Sequence, residues 1–235
     1  MTPELAQKWK ELDHHRGKAF IADGIIDEES WARAPRKVLF LLKEAYDTRL
    51  NSDGFDLRTL VKNRRDKIAG PTWWRMGCWA YLLHNVDATH TPCFPPSRST
   101  MRLAVLSSAV VNVKKSDGKK RSDMKEIAQY AEKDRDLLRQ QISEIGPDII
   151  VAGGSWAAVP IIWDVRKKIS NRFHSTSAGP LINFWHPAAQ IHNDLLYYSL
   201  AGILQAAESK AAGAIPPRRK HVASMTDTVS QLDPA

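Results

Sequence analysis

The chain has only two cysteines, Cys78 and Cys93, in 235 residues. Two thiols build no disulfide framework, and such sparing use suits a reducing compartment, so a cytoplasmic location is expected. Long apolar runs are also missing: none approaches the ~20 residues of a membrane span. Met1-Thr2-Pro3-Glu4 opens a polar helix rather than a signal peptide. No membrane partner is therefore expected. Glycine-rich phosphate loops are incomplete, because Gly153-Gly154-Ser155 lacks the lysine and spacing of a P-loop and the third glycine of a dinucleotide fingerprint. Cys78, His84, His90 and Cys93 match none of the usual zinc spacings. Neither a cofactor nor a metal is expected.

What the chain does have is positive charge, +8 net with a pI near 9.5. A basic balance favours a polyanionic partner, with DNA the first expectation and an acidic membrane surface the second. The length suits one α/β domain, taken as residues 1–212 with an N-terminal helical extension over 1–35, a monomer, and a disordered basic tail over 213–235. Apolar runs predict strands at 36–42, 107–113, 148–152 and 182–186. Helical periodicity predicts helices over 3–22, 57–67, 72–85, 127–145, 156–169 and 194–209. Strands alternating with helices imply a three-layer α/β/α fold around a central four-stranded parallel sheet.

Each predicted strand delivers a polar group at its carboxyl end, the edge where open α/β sheets bind ligands. Glu44 follows Val38-Leu39-Phe40-Leu41-Leu42, Asn112 follows Ala109-Val110-Val111, Gly153-Gly154-Ser155 follows Ile149-Ile150-Val151, and His186 ends Ile182-Asn183-Phe184-Trp185. The amide of Asn112 offers both a donor and an acceptor, the pair needed to read the Watson–Crick edge of a pyrimidine. Ser155 and the backbone N–H groups beside it could hold a phosphate. The lysine-rich turn after Asn112, beginning Lys114-Lys115, is a candidate phosphate contact. The tryptophans near Thr72 read as core, one of them free to stack on a base.

In their order along the chain these segments resemble the uracil-DNA glycosylase superfamily, closest to the branches with a Gly-Glu-Ala-Pro-Gly first motif. Here that motif reads Lys43-Glu44-Ala45-Tyr46-Asp47, the second segment reads Ala109-Val110-Val111-Asn112-Val113-Lys114, and the histidine-proline motif reads His186-Pro187-Ala188-Ala189. The likeness spans about residues 36–205. It implies that Glu44 orients the attacking water and balances charge on the sugar, that Asn112 reads the base, and that His186 bonds the departing base. Gln190 or Ile191 would fill the gap left by a flipped nucleotide. Phe55 would stack on the base, with Trp73 or Trp74 as alternatives, and Tyr46 would wall the pocket at the pyrimidine 5-position. The implied activity is a monofunctional DNA glycosylase acting on uracil or a modified pyrimidine, including those of phage DNA. The alternatives are a catalytically silent nucleic-acid-binding module of the same fold and an α/β enzyme acting on a small phosphorylated substrate. The chain departs from the branch in three ways: two cysteines cannot supply its four-cysteine iron–sulfur cluster, Lys115 standing where one of them would fall; Lys43, Tyr46 and Asp47 replace the small residues of the first motif; and His192 stands where an arginine is common.

Overall fold

The computed structural model describes residues 1–45, 54–63 and 70–219 as a mixed α/β fold. Its helices are α1 (Pro3–Glu11), α2 (Glu28–Ala32), α3 (Leu57–Lys62), α4 (Gly70–Asn85), α5 (Arg98–Leu106), α6 (Met124–Lys133), α7 (Arg135–Ile145), α8 (Val159–Ile162) and α9 (Asn193–Lys210). Its strands are β1 (Ile21–Ala22), β2 (Gly24–Ile25), β3 (Val38–Leu42), β4 (Phe55–Asp56), β5 (Ser108–Asn112), β6 (Ile149–Gly153), β7 (Val165–Lys168), β8 (Phe173–Thr176) and β9 (Gly179–Phe184).

The main sheet has seven strands in the order β2-β5-β3-β6-β9-β8-β7, so a four-stranded sheet is too small. Its middle is parallel, with β5, β3, β6 and β9 side by side, and antiparallel strands extend both edges. All five residues of β3 are buried, and alternation divides them between two cores. Val38, Phe40 and Leu42 pack with Trp79 of α4, Val105 of α5 and Leu200 of α9. Leu39 and Leu41 face the other way, among Trp9 of α1, Ile127 of α6, Leu138 of α7 and Ile162 of α8. A strand covered on both faces has no polar side to show, hence its unbroken apolar run.

The segments outside the parallel strands differ most from expectation. The helix predicted over 3–22 stops at Glu11, and β2 joins the sheet beside β5, so residues 1–35 are part of the body. The helix predicted over 127–145 breaks at Asp134, whose buried carboxylate takes Nε2 of His14 at 2.6 Å and Nε2 of His15 at 2.9 Å. The helix predicted over 156–169 is a 3₁₀ turn and one short helix, followed by the β7–β8 hairpin. Ser170-Asn171 is the turn signal that marks this hairpin: Ile169 and Ser170 both donate their N–H to the Phe173 carbonyl. Disorder predicted from 213 is corrected over 213–219, where Ile215 is buried and Arg219 pairs with Asp148; the rest of the predicted tail, 220–235, lies outside the described residues. No described helix is long and apolar enough to cross a membrane.

Candidate functional site

Strand register brings the predicted groups to one edge. Leu42 pairs with Asn112, Leu41 with Ala152, and Gly153 with Phe184, so four adjacent parallel strands end at nearly the same level. Pairing continues beyond β3, where Val113 and Lys114 donate N–H groups to the carbonyls of Leu42 and Lys43. Glu44, Asn112, Gly154 and His186 all leave the sheet there.

His186 sits against a glycine turn. Gly154 has φ +71°, and a Cβ on it would lie 3.0 Å from the His186 Cβ, so glycine meets both the backbone and the space requirement. The imidazole Nδ1 accepts the backbone N–H of Ala188 at 3.1 Å. Burial, followed by the charges of Lys43 and Arg75, lowers its pKa to about 4. A neutral ring with Nδ1 accepting carries its proton on Nε2, which leaves Nε2–H as a donor.

The loop after His186 is held from below by Arg75 of α4, which sequence reading missed. Its guanidinium donates to the carbonyls of Pro187 and Ala189 at 2.6 Å each, to that of Ile191 at 3.2 Å, and to Asn193 Oδ1 at 2.6 Å. A guanidinium carries five donors in a fixed fork, which is why one side chain can organise the whole turn. The signal in the sequence is a lone arginine inside the aromatic stretch Trp73-Trp74-Arg75-Met76. Beside it lies a cleft of about 640 Å³ lined by Thr72, Arg75 and residues 187–193. Gln190 is exposed on this loop, whereas Ile191 packs against the core. Arg75→Met is expected to release the loop while α4 stays folded. Hydrogen exchange should then speed up at residues 187–193 and remain unchanged in β3; protection as in the unmodified chain would show that the loop holds itself.

Glu44 lies under a cover. Its side chain is 2% exposed, Oε2 accepts from Lys114 Nζ at 3.2 Å, and Oε1 accepts the Lys119 N–H at 3.3 Å. Gly118 makes the close approach possible, since a Cβ there would fall 2.6 Å from the Ala45 carbonyl oxygen and 2.7 Å from Glu44 Cγ. Although burial pulls the Lys114 pKa down, its bonds to Glu126 and Glu44 hold it above the usual value.

Asn112 is buried and anchored by Asp23, a second residue missed in the sequence. Asp23 Oδ2 accepts the Asn112 backbone N–H at 2.7 Å and its Nδ2 at 3.3 Å; Oδ1 accepts from Lys115 Nζ at 2.6 Å and Gln141 Nε2 at 2.9 Å. An ionised carboxylate only accepts, so this contact fixes the amide with Nδ2 toward Asp23. An acid inside Ile21-Ala22-Asp23-Gly24-Ile25-Ile26 is the readable sign of such a buried partner.

Three expected phosphate contacts are corrected. Lys114 is 5% exposed in its side chain and Lys115 is fully buried, both paired with carboxylates, so neither is free to meet a phosphate. Ser155 is fully buried and donates its hydroxyl to the Leu41 carbonyl at 2.7 Å. The turn after Gly154 is also only three residues of 3₁₀ helix.

Phe55 is half-buried in the small β1–β4 sheet, and Trp73 and Trp74 flank the same core. Tyr46 lies outside the described residues. Among the described residues, the one set able to share a metal ion is His14, His15 and Asp134, with ligand atoms within 4.8 Å of one another. Cys78 is instead buried against Met101, and His84 is enclosed with its pKa pushed down to about 3 by burial and then by Arg36. Compared with protein-family models, with curated proteins and with solved structures, the chain matches none of them.

Proposed function

We propose that this chain is a DNA glycosylase that flips a damaged or modified pyrimidine and hydrolyses its N-glycosidic bond, leaving an abasic site. The observation that carries the reading is a neutral histidine donor, His186 Nε2–H, at the same sheet edge as Glu44 and Asn112. Breaking the bond puts cation character on the sugar and anion character on the base, so a carboxylate and a preorganised donor are the useful pair. Water adds its oxygen to C1′ while the base leaves with the bonding electrons and is then protonated. His186 would donate to the base oxygen as charge gathers there, and Glu44 would hold the water.

The fixed amide of Asn112 narrows base reading. With Nδ2 turned to Asp23, Oδ1 is left as the recognising acceptor, which suits N3–H of uracil or the 4-amino group of a cytosine. Gln190 is the better wedge, because it is exposed while the Ile191 carbonyl is tied to Arg75. Extruding the nucleotide costs a few kcal/mol, which binding to the phosphates and the wedge offset.

One observation favours a second reading, a silent nucleic-acid-binding module: the Glu44 carboxylate is enclosed by Gly118 and bonded to Lys114. The two readings part in one assay. Duplexes bearing uracil, hypoxanthine, 5-hydroxymethylcytosine or glucosylated cytosine are incubated with the chain, and free base is identified by mass spectrometry. Release from one of them, abolished by Glu44→Gln, is the expected result. Binding to all four without release would support the silent module.

A further inference from the structure

With Lys114, Lys115 and Ser155 turned inward, a phosphate contact has to come from other cations of the surface. We infer that the β7–β8 hairpin is the phosphate-gripping surface, laying a DNA strand along Arg166, Lys167 and Lys168 toward the His186 edge. This rests on the nucleic-acid reading above and supplies the binding surface that it lacks.

Every residue of β7 is exposed, and three of its four residues are cationic. Among the described residues none of the three forms an ion pair, in contrast to Lys62, Arg58, Arg218 and Arg219, each paired with an aspartate. The hairpin is also aimed at the site. β8 runs antiparallel to β9, and β7 antiparallel to β8, so β7 points the same way as β9. Lys168 pairs with His174, and His174 with Leu181, five residues before His186. At ~3.3 Å per residue and ~4.8 Å between strands, Lys168 lies about 16 Å short of His186 and about 10 Å to its side. One nucleic-acid strand crosses that distance in about five or six nucleotides at ~3.4 Å each.

The turn closes the gap. Arg172 exchanges backbone and side-chain hydrogen bonds with Asn183, and its guanidinium stacks 3.9 Å from the centre of the Trp185 ring, next to His186. The basic row therefore ends on the residue preceding the candidate donor. Charges on an edge strand also deter strand addition by other chains. That role alone requires solubility and no particular DNA affinity, so the two are separable.

The test uses the full chain and a fluorescent DNA duplex, with affinity measured by anisotropy over a series of salt concentrations. Arg166→Gln/Lys167→Gln/Lys168→Gln is compared with Lys8→Gln/Lys125→Gln/Lys133→Gln, which removes equal charge from exposed positions on α1 and α6. The hairpin variant is expected to bind at least tenfold more weakly at low salt. The slope of log affinity against log salt should fall by about 2 to 3, at ~0.9 for each phosphate no longer neutralised. The control variant should keep its slope. Equal weakening in both variants would reduce the effect to net charge and overturn the inference, as would unchanged binding with raised aggregation, or wild-type binding to anionic vesicles but not to DNA. Base release at saturating protein separates this from the catalytic reading: hairpin-dependent binding without release leaves the surface standing and removes the glycosylase. Release with hairpin-independent binding does the reverse.

Discussion

His186→Ala is expected to lower base release at least a hundredfold at saturating DNA. Removing a preorganised donor to a developing anion costs about 3 kcal/mol of barrier, and about 1.4 kcal/mol is a factor of ten in rate. The ring does not hold a strand together, since among the described residues its hydrogen bond is the one from the Ala188 N–H to Nδ1. The variant should therefore stay folded and bind DNA much as before, so that the loss falls on the chemical step. Base release at the unmodified rate by a folded His186→Ala would remove His186 from the mechanism. The pH profile gives an independent reading. With a folded pKa of about 4, the ring is neutral throughout pH 6 to 8, and release should show no histidine limb in that range. An imidazolium donor would instead lose activity as pH rises through 6 to 7. Stability follows the same depressed pKa: the unfolded ring binds its proton near 6.5 and the folded ring does not until about 4. The contribution is thus complete above about pH 6.5 and is lost as pH falls from there toward 4. His84, lowered to about 3, adds to that loss in the same direction.

The four parallel strands were legible because burial on both faces forces continuous apolar runs, which β3, β5 and β6 show plainly. Their carboxyl ends were legible for the same reason, since the first polar residue after each run marks the edge. The antiparallel flanks were not. β7 is wholly exposed and follows an apolar period of three to four residues through Trp156, Val159 and Ile162, so its charged run reads as the outer face of a continuing helix. Only pairing with β8 makes it a strand, and pairing is tertiary information.

The candidate site was legible as a set of positions but not as a set of exposures. Lysines on a polar turn read as solvated, yet Lys114 and Lys115 turn inward because Glu44, Glu126 and Asp23 are there to receive them. Position 115, where the resemblance would place a cluster cysteine, is occupied by one half of a buried ion pair. The same packing that anchors Asn112 hides Glu44, so the fixed amide at the candidate base-reading position and the cover over the carboxylate have a common origin in the 114–119 loop.

That origin can be tested through Asp23. Asp23→Ala is expected to destabilise the fold by about 3 to 5 kcal/mol, because it strands a buried ammonium. The substitution leaves the Lys115 ammonium, the Asn112 backbone N–H and amide, and the Gln141 amide without their shared acceptor. For a chain of this size such a change lowers Tm by roughly 6 to 20 °C. Urea denaturation gives the free energy, and a change below about 1 kcal/mol would mean that water or rearranged side chains replace the carboxylate. Asp23→Leu combined with Lys115→Met removes both charges and should recover the part of the loss due to the stranded ammonium, while the Asn112 N–H and the Asn112 and Gln141 amides stay without their acceptor. Recovery of folding need not restore base reading. In the double variant the carboxylate no longer turns the Asn112 amide, so discrimination between uracil and other bases should weaken while the melting transition returns in part. If stability and discrimination returned together, Asp23 would serve the fold alone, and the orientation of Asn112 would be set by the strand end itself.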